Sequence, residues 1–384
     1  MENRATYKVY NATAYGLSVD HLPRAAMSVF SRLESAGFLV YLVGGCVRDL
    51  LLQSQPKDFD FATSARPDQV RSLFRSNSRI VGRRFPLAHI RMQHAIFEVS
   101  TFRAGNDSNS LIIRDNQWGT PEEDALRRDL TINSLFYHPT SGEIIDYSGG
   151  MKDLFRKKLS VIGDPESRFL QDPVRMIRIL KLQSKLENFS IPLKIKQAIK
   201  RCSGEIEKSS TARVLEEILR GLESGHAFTF FELLSRYGLL KNIFPLLEKT
   251  LKKHKELNGS LLRAIDRFSA QFPGKTIPRS VLLATLSLPL ILDSENKDVE
   301  ASFDTLFKGN YPIPHKLKAS SLQILRLHKA MATPTKRSVE SIAHAENFIP
   351  AVQLLAIRTM MDDKLEPALL YWKKVQDVLV ENEF

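Results

Sequence analysis

Leu42-Val-Gly-Gly-Cys-Val-Arg-Asp-Leu-Leu51, followed by Asp58-Phe-Asp-Phe61, decides the reading of this chain. The apolar run Phe38 to Val43 has the length of a buried strand, and Gly44-Gly45 breaks it. The residues beyond the glycines read as a helix that carries Arg48. Glycines at a strand-to-helix turn let backbone N–H groups approach a phosphate, and a helix start with a nearby arginine favours negative charge. The same residues also fit a plain turn in which Arg48 and Asp49 pair at the surface. In Asp58-Phe-Asp-Phe61, residues two apart on a strand share a face, so Asp58 and Asp60 present two carboxylates while Phe59 and Phe61 enter the core. Adjacent carboxylates repel unless a hard divalent cation joins them, and Mg²⁺ takes one or two carboxylates together with waters and substrate phosphates. Such a pair suits two-metal phosphoryl transfer. Alone, it fits a solvated strand end better; a phosphate cradle about a dozen residues upstream strengthens the catalytic reading.

Working outward, residues 1–13 show no clear period and are expected as a loose arm. Ser18 is a candidate N-cap for a helix whose stripe is Leu22, Ala25, Ala26, Val29, Phe30 and Leu33, closed by Gly37. Strands are predicted at Phe59–Ala62, Leu87–Met92 and Ala95–Phe102, the last two as a hairpin, and helical segments at Pro67–Phe74 and Glu122–Phe136. From Pro173 onward strand-like alternation fades, and segments such as Arg213–Leu222 and Phe228–Tyr237 have helical spacing. The predicted fold is α+β: a head with a mixed sheet, then an all-helical remainder.

The 384 residues carry a net charge of +12, which favours a polyanionic partner but also fits a solubility role. Cys46 and Cys202 are too few for a disulfide framework or a four-thiolate metal site, so a reducing compartment is expected. The most apolar stretch, Val281–Leu292, is too short to span a bilayer and contains Pro289. With no secretion signal recognised at the start, the expected location is cytoplasmic.

The motifs L-V-G-G-x-V-R-D-x-L-L and D-F-D together resemble the class II nucleotidyltransferases, which comprise the CCA-adding tRNA nucleotidyltransferases and the bacterial poly(A) polymerases. Glu123-Asp-Ala-Leu-Arg-Arg-Asp-Leu-Thr-Ile-Asn133 is similar to the R-R-D-x-T-I-N segment of that family. Glu143-Ile-Ile-Asp146 before Gly149-Gly-Met-Lys-Asp-Leu154, and Asp172-Pro-Val-Arg-Met-Ile-Arg178, complete five ordered motifs. The resemblance implies a polymerase-beta-like nucleotidyltransferase head. The expected division is an arm over 1–17, the head over 18–155, a helical neck over 156–222 and an RNA-binding body over 223–384.

The resemblance implies that Asp58 and Asp60 hold two Mg²⁺, that Arg128 contacts the nucleotide, and that Asp129 is a further acid in the site. Glu98, on the strand face opposite Phe97 and Val99, is a candidate third carboxylate; a solvated strand residue is the equal alternative. Gly44, Gly45 and Arg48 are expected to hold the triphosphate. Asp172 suits an N-cap, but it also lies three residues before Arg175 on one helical face, with Arg178 three further on. A carboxylate accepting from an exocyclic amine while a guanidinium donates to the adjacent ring nitrogen matches adenine and cytosine, and the resemblance implies this use of Asp172 and Arg175. Gln171 stands where the family usually has Glu, and Lys181 where it has Arg.

Ile80-Val-Gly-Arg-Arg-Phe-Pro-Leu-Ala-His-Ile90 resembles the segment that marks bacterial poly(A) polymerases, with Arg83 and Arg84 as candidate RNA or triphosphate contacts. The region Arg326 to Trp372 is similar to their C-terminal helices, and no His-Asp dipeptide of a phosphohydrolase module occurs. The expected function is addition of AMP from ATP to RNA 3′ ends. CCA addition to tRNA is the alternative within the family, and an inactive RNA-binding protein on the same fold is the alternative outside it.

Overall fold

The computed structural model describes residues 7–82, 86–93, 95–104, 117–272, 274, 276–292, 298–332 and 336–382. Arg83 and Arg84 lie outside the described residues. Eight strands form one sheet: β1 (Lys8–Asn11), β2 (Val40–Val43), β3 (Asp60–Thr63), β4 (Ser78–Val81), β5 (Leu87–Met92), β6 (Ala95–Thr101), β7 (Leu135–His138) and β8 (Glu143–Asp146). Their order is β1-β8-β7-β2-β3-β6-β5-β4, with β3 and β6 parallel and every other neighbouring pair antiparallel. The sheet is therefore mixed, as expected. β2 is central and almost fully buried, which is why its sequence is continuously apolar rather than alternating.

Helices α1 (Arg24–Ser35), α2 (Gly45–Leu51), α3 (Pro67–Phe74), α4 (Pro121–Arg127), α5 (Gly150–Phe155) and α6 (Pro165–Gln171) belong to the same unit as the sheet. α1 buries Ala25, Ala26, Val29, Phe30 and Leu33, the predicted stripe. Ser18, however, caps a separate 3-10 turn, Val19–His21, and α1 starts only after Pro23.

Three local expectations change. Residues 8–11, expected within a loose arm, form edge strand β1, in register with β8 from Lys8↔Asp146 to Asn11↔Glu143; the ladder satisfies backbone groups that the short segment cannot satisfy alone. The helix expected over Glu122–Phe136 stops at Arg127. Thr120 and Glu123 form its capping box, Arg128 turns extended at ψ 171°, and Thr131–Asn133 make one 3-10 turn. Phe136 then pairs with Val43 in the sheet, a long-range contact that overrides local helical periodicity. Finally, the ladder of β3 begins at Asp60, so Asp58 precedes the strand.

Contacts divide the chain into two compact units, Met1–Arg175 with Asn188–Ile199, and Met176–Glu187 with Lys200–Phe384. α7 (Val174–Lys185) and α8 (Leu193–Cys202) each cross a division point. The second unit continues with α9 (Thr211–Leu222), α10 (Ala227–Arg236), α11 (Leu239–Ile243), α12 (Pro245–Lys253), α13 (Lys255–Gln271) and α14 (Arg279–Leu292). It ends with α15 (Val299–Leu306), α16 (His315–Met331), α17 (Lys336–Ala343), α18 (Phe348–Thr359) and α19 (Glu366–Asn382). Its described residues contain no strand, as the loss of alternation after Pro173 predicts. α14 packs on α16 and α18, and Trp372 of α19 is fully buried with its indole N–H donating to the Met331 carbonyl at 3.0 Å. No described helix is long and apolar enough to cross a membrane. Cys46 and Cys202 are both buried and unbridged.

Candidate active site

The site is assembled where β2 gives way to α2. Gly44 adopts φ 79° and ψ −140°, a region that side chains disfavour. The point at which a Cβ of Gly44 would sit lies 3.7 Å from Asp60 Oδ2 and 3.6 Å from Arg128 Nη1. The double glycine therefore leaves bare backbone close to both a carboxylate and a guanidinium, which chain spacing of 84 residues between Gly44 and Arg128 does not reveal.

Asp60 is half-buried at the start of β3, opposite Glu98 in the parallel register with β6. Burial, then Glu98, then Asp58 push its carboxyl up to about 6 against the opposing pull of Arg128. Glu98 is exposed, and its Oε1 lies 3.4 Å from His89 Nε2 across the β5–β6 pair. Among the described residues, no group of three His, Cys, Asp or Glu side chains is arranged to hold a metal ion. The hard oxygen donors at Asp58 and Asp60 fit a divalent cation such as Mg²⁺, since a dication relieves the repulsion that raises Asp60.

Asp129 faces other partners. Its Oδ1 accepts from the Leu130 N–H at 2.8 Å and from Asn133 Nδ2 at 3.4 Å. Asn133 Oδ1 in turn accepts from Arg48 Nη1 at 2.6 Å. Of the two candidates for a third carboxylate, Glu98 is the one placed beside Asp60. Arg48 is buried, and its Nε and Nη2 both meet Asp49 Oδ1, at 2.8 and 2.7 Å. It thereby clamps α2 to the Thr131–Asn133 turn under the Gly44-Gly45 backbone.

Arg128 is held from three sides. Nε and Nη2 meet Asp124 Oδ2 at 3.2 and 2.8 Å, and the guanidinium lies over the Phe136 ring at 5.2 Å. Arg168 Nη2 donates to the carbonyls of Arg127 and Arg128 at 2.5 and 2.6 Å. Asp124 also accepts from the Arg103 N–H at 3.3 Å and lies 3.7 Å from Arg127 Nη1. Arg103, Arg127, Arg128, Arg168 and Arg175 thus crowd one region. Burial first, then repulsion among these arginines, lowers Arg127 to about 9 and Arg168 to about 10. Arg103 is lowered by burial as well. Such a concentration of desolvated positive charge suits a polyphosphate.

Arg175 is buried, its Nη1 donating to the Arg168 carbonyl at 3.1 Å and its Nη2 to the Arg127 carbonyl at 3.3 Å. Asp172 ends α6, and its carbonyl accepts from the Arg175 N–H at 3.1 Å. Gln171 Oε1 accepts from Arg168 Nη1 at 3.2 Å, so the amide performs the acceptor role open to a glutamate there. In the second unit, Arg178 Nε donates to Glu217 Oε1 at 2.7 Å, and Lys181 pairs with the other oxygen of Glu217. Burial raises Glu217, but Arg178 and Lys181 outweigh it and the net shift is downward. Lys181 needs only a point charge for that contact.

Reading by motif left out Arg103, Asp124 and Arg168. The spacing of Asp124 four residues before Arg128, and of Arg168 three before Gln171, is the signal that points to the last two. Arg103 has no such local signal; it reaches Asp124 through the tertiary fold.

The Poly A polymerase head domain profile matches residues 40–160. A profile described as the probable RNA and SrmB-binding site of polymerase A matches 188–251. The chain is similar to the Poly(A) polymerase I of Haemophilus influenzae, 41% identical over 62% of this chain and 55% of that protein. It is also similar to the Poly(A) polymerase I of Escherichia coli O157:H7, 42% identical over 94% of this chain and 84% of the relative. Among solved structures, the Bacillus stearothermophilus CCA-adding enzyme in complex with CTP matches with a TM-score of 0.69, 25% identity and coverage of 93% of this chain and 82% of that one. Similarity of this extent to the curated polymerases, on a head whose motifs converge at one seat, shows that the chain belongs to the poly(A) polymerase family of nucleotidyltransferases.

Proposed function

We propose that the chain adds AMP from ATP to RNA 3′ ends without a template, releasing pyrophosphate. The observation that carries this reading is the seat at Gly44, where a Cβ would be within van der Waals reach of both Asp60 and Arg128. The backbone of Gly44 and Gly45 receives the triphosphate, and Arg48 keeps that backbone in place. Arg128, held by Asp124, neutralises charge on the phosphates, supported by the field of Arg103, Arg127, Arg168 and Arg175. Asp58 and Asp60 would hold the metal, with Glu98 beside them. Bound Mg²⁺ supplies acidification of the RNA 3′-hydroxyl and charge stabilisation on the leaving pyrophosphate. The RNA 3′ oxygen attacks the α-phosphorus in line, the bond from that phosphorus to the α,β-bridging oxygen breaks so that pyrophosphate leaves, and the hydroxyl proton passes to solvent water. Asp172 and Arg175 read the amino-and-ring-nitrogen edge of the base, Asp129 orders the Thr131–Asn133 turn through Asn133, and Arg178 is positioned by Glu217. The same reading places the enzyme in the cytoplasm.

CCA addition is the second reading, supported by the structural similarity to a CTP-bound CCA-adding enzyme. A gel with a short RNA primer and a CC-ended tRNA, each given single nucleotides, separates the two. A long ladder with ATP on the primer supports polyadenylation, whereas one adenylate on the tRNA and CMP incorporation overturn it. Absence of Mg²⁺-dependent pyrophosphate release with both RNAs leaves the reading of an inactive RNA-binding protein.

A further inference from the structure

The head carries a second aromatic and basic surface at the β1 edge of the sheet, with β8 and β7 between it and β2. Tyr10 of β1 meets Tyr15 edge-on, with ring centroids 5.9 Å apart. Tyr15 stacks on Phe155 at 5.2 Å with 30° between the planes. Phe155, the last residue of α5, is 55% exposed, so the ring face away from Tyr15 is open to a further stacking partner. Arg156, Lys157 and Lys158 follow directly and are exposed; Lys152 is exposed one turn earlier, and Lys8 is exposed two residues before Tyr10. None of these five cations makes an ion pair with a described residue, in contrast to Arg178, Lys181 and Arg279, which are each held by a glutamate.

The backbone under the basic run is pinned. Lys157 takes the left-handed conformation at φ 53°, a strained choice for a residue with a Cβ. Its N–H donates to the Leu154 carbonyl at 3.1 Å, and its carbonyl accepts from the Ser190 N–H at 2.8 Å. The Leu159 N–H donates to the Ser190 carbonyl at 3.0 Å, closing the segment on both sides. A rigid turn thus presents three successive cations beside an open aromatic face.

From this juxtaposition we infer that the Tyr15–Phe155 stack and the Lys152–Lys158 turn form a binding site for single-stranded RNA, separate from the nucleotide seat. Every base has a π face that can continue an aromatic stack, and unpaired cations neutralise the phosphates between bases. Three exposed cations directly after Phe155 in sequence favour a polyanion over an apolar protein partner. The inference rests on RNA being the substrate, and it adds a second hold on the strand whose 3′ end is extended.

Fluorescence anisotropy of the full chain with an oligoadenylate of about 20 nucleotides, over a salt series, tests it. Phe155→Ala is expected to weaken binding at least about fivefold. Arg156→Ala with Lys158→Ala is expected to reduce the slope of log affinity against log salt by about 1.4, two single-strand phosphate contacts. Single-adenylate addition to a saturating primer of about six nucleotides should stay at the parent rate in both variants. Unchanged affinity and slope in both variants overturn the site. Loss of binding to phosphatidylserine vesicles with RNA binding intact also overturns it, assigning the surface to lipid. Failure of the parent protein to add AMP counts against the polymerase reading alone, since the anisotropy remains readable.

Discussion

Asp124 and Arg128 form a two-point ion pair inside the head, Nε and Nη2 meeting one carboxylate oxygen at 3.2 and 2.8 Å. The pair fixes the guanidinium plane over Phe136 and sets Nη1 toward the Gly44 backbone. Asp124→Asn keeps the shape but removes the charge that orients the arginine. The expected outcome is a fall of about 10²-fold in kcat/KM for ATP, because small misplacements of a phosphate-binding group are amplified in the rate. Steady-state kinetics with retained circular dichroism check this; parent-like kinetics contradict the role.

Gly44→Ala separates conformation from space. The added methyl meets only ordinary contacts, at 3.6 and 3.7 Å, so the cost comes from φ 79° and ψ −140°, about 1–3 kcal/mol of backbone strain. ATP turnover should fall at least tenfold, while Gly37→Ala, which meets comparable strain at φ 82° but sits at the opposite end of β2, should leave turnover intact. Equal turnover in the two variants argues against the seat.

Asp60→Asn should abolish AMP incorporation and also stabilise the metal-free protein. Burial and repulsion from Glu98 and Asp58 disfavour the ionised side chain in the fold, so an isosteric amide removes a penalty of order 1–3 kcal/mol. In a chelator-containing buffer at pH 7, the melting temperature is expected to rise by a few degrees. A lower melting temperature shows that Asp60 is held by contacts rather than opposed by them.

His328, buried in the helical unit, supplies a pH dependence. Burial first, then the Arg358 charge, lowers it from 6.5 to about 3, and its Nε2 lacks a hydrogen-bond partner among the described residues. The unfolded chain therefore takes up a proton below pH 6.5 that the folded chain refuses until about pH 3. Across that window the residue subtracts about 1.4 kcal/mol of stability for each unit of falling pH. Urea unfolding of the parent should show this slope, and His328→Leu should lose it; identical slopes exclude His328 as the cause.

Much of the fold was legible because its signals are local. The apolar run before Gly44 is a buried strand, the stripe from Ala25 to Leu33 faces the core, and the loss of alternation after Pro173 marks the helical unit. The misread segments are those whose state depends on a distant partner. Leu135 and Phe136 of β7 are expected at the end of the helix begun by α4, but Phe136 pairs with Val43 across more than ninety residues of chain, and strand pairing prevails. β1 is equally short, and the β8 ladder supplies its strand pairing.

The sequence by itself determined the chemistry this protein carries: two carboxylates, a double glycine and the Arg-Arg-Asp segment, since residue identity and short spacing are covalent properties. Only the tertiary structure decided which charges meet. Arg48 is committed to Asp49 and Asn133, Asp129 to Asn133 rather than to Asp60, and Asp124 to the arginines that surround it. Electrostatic coupling depends on distance and burial in space, and long-range strand pairing sets both.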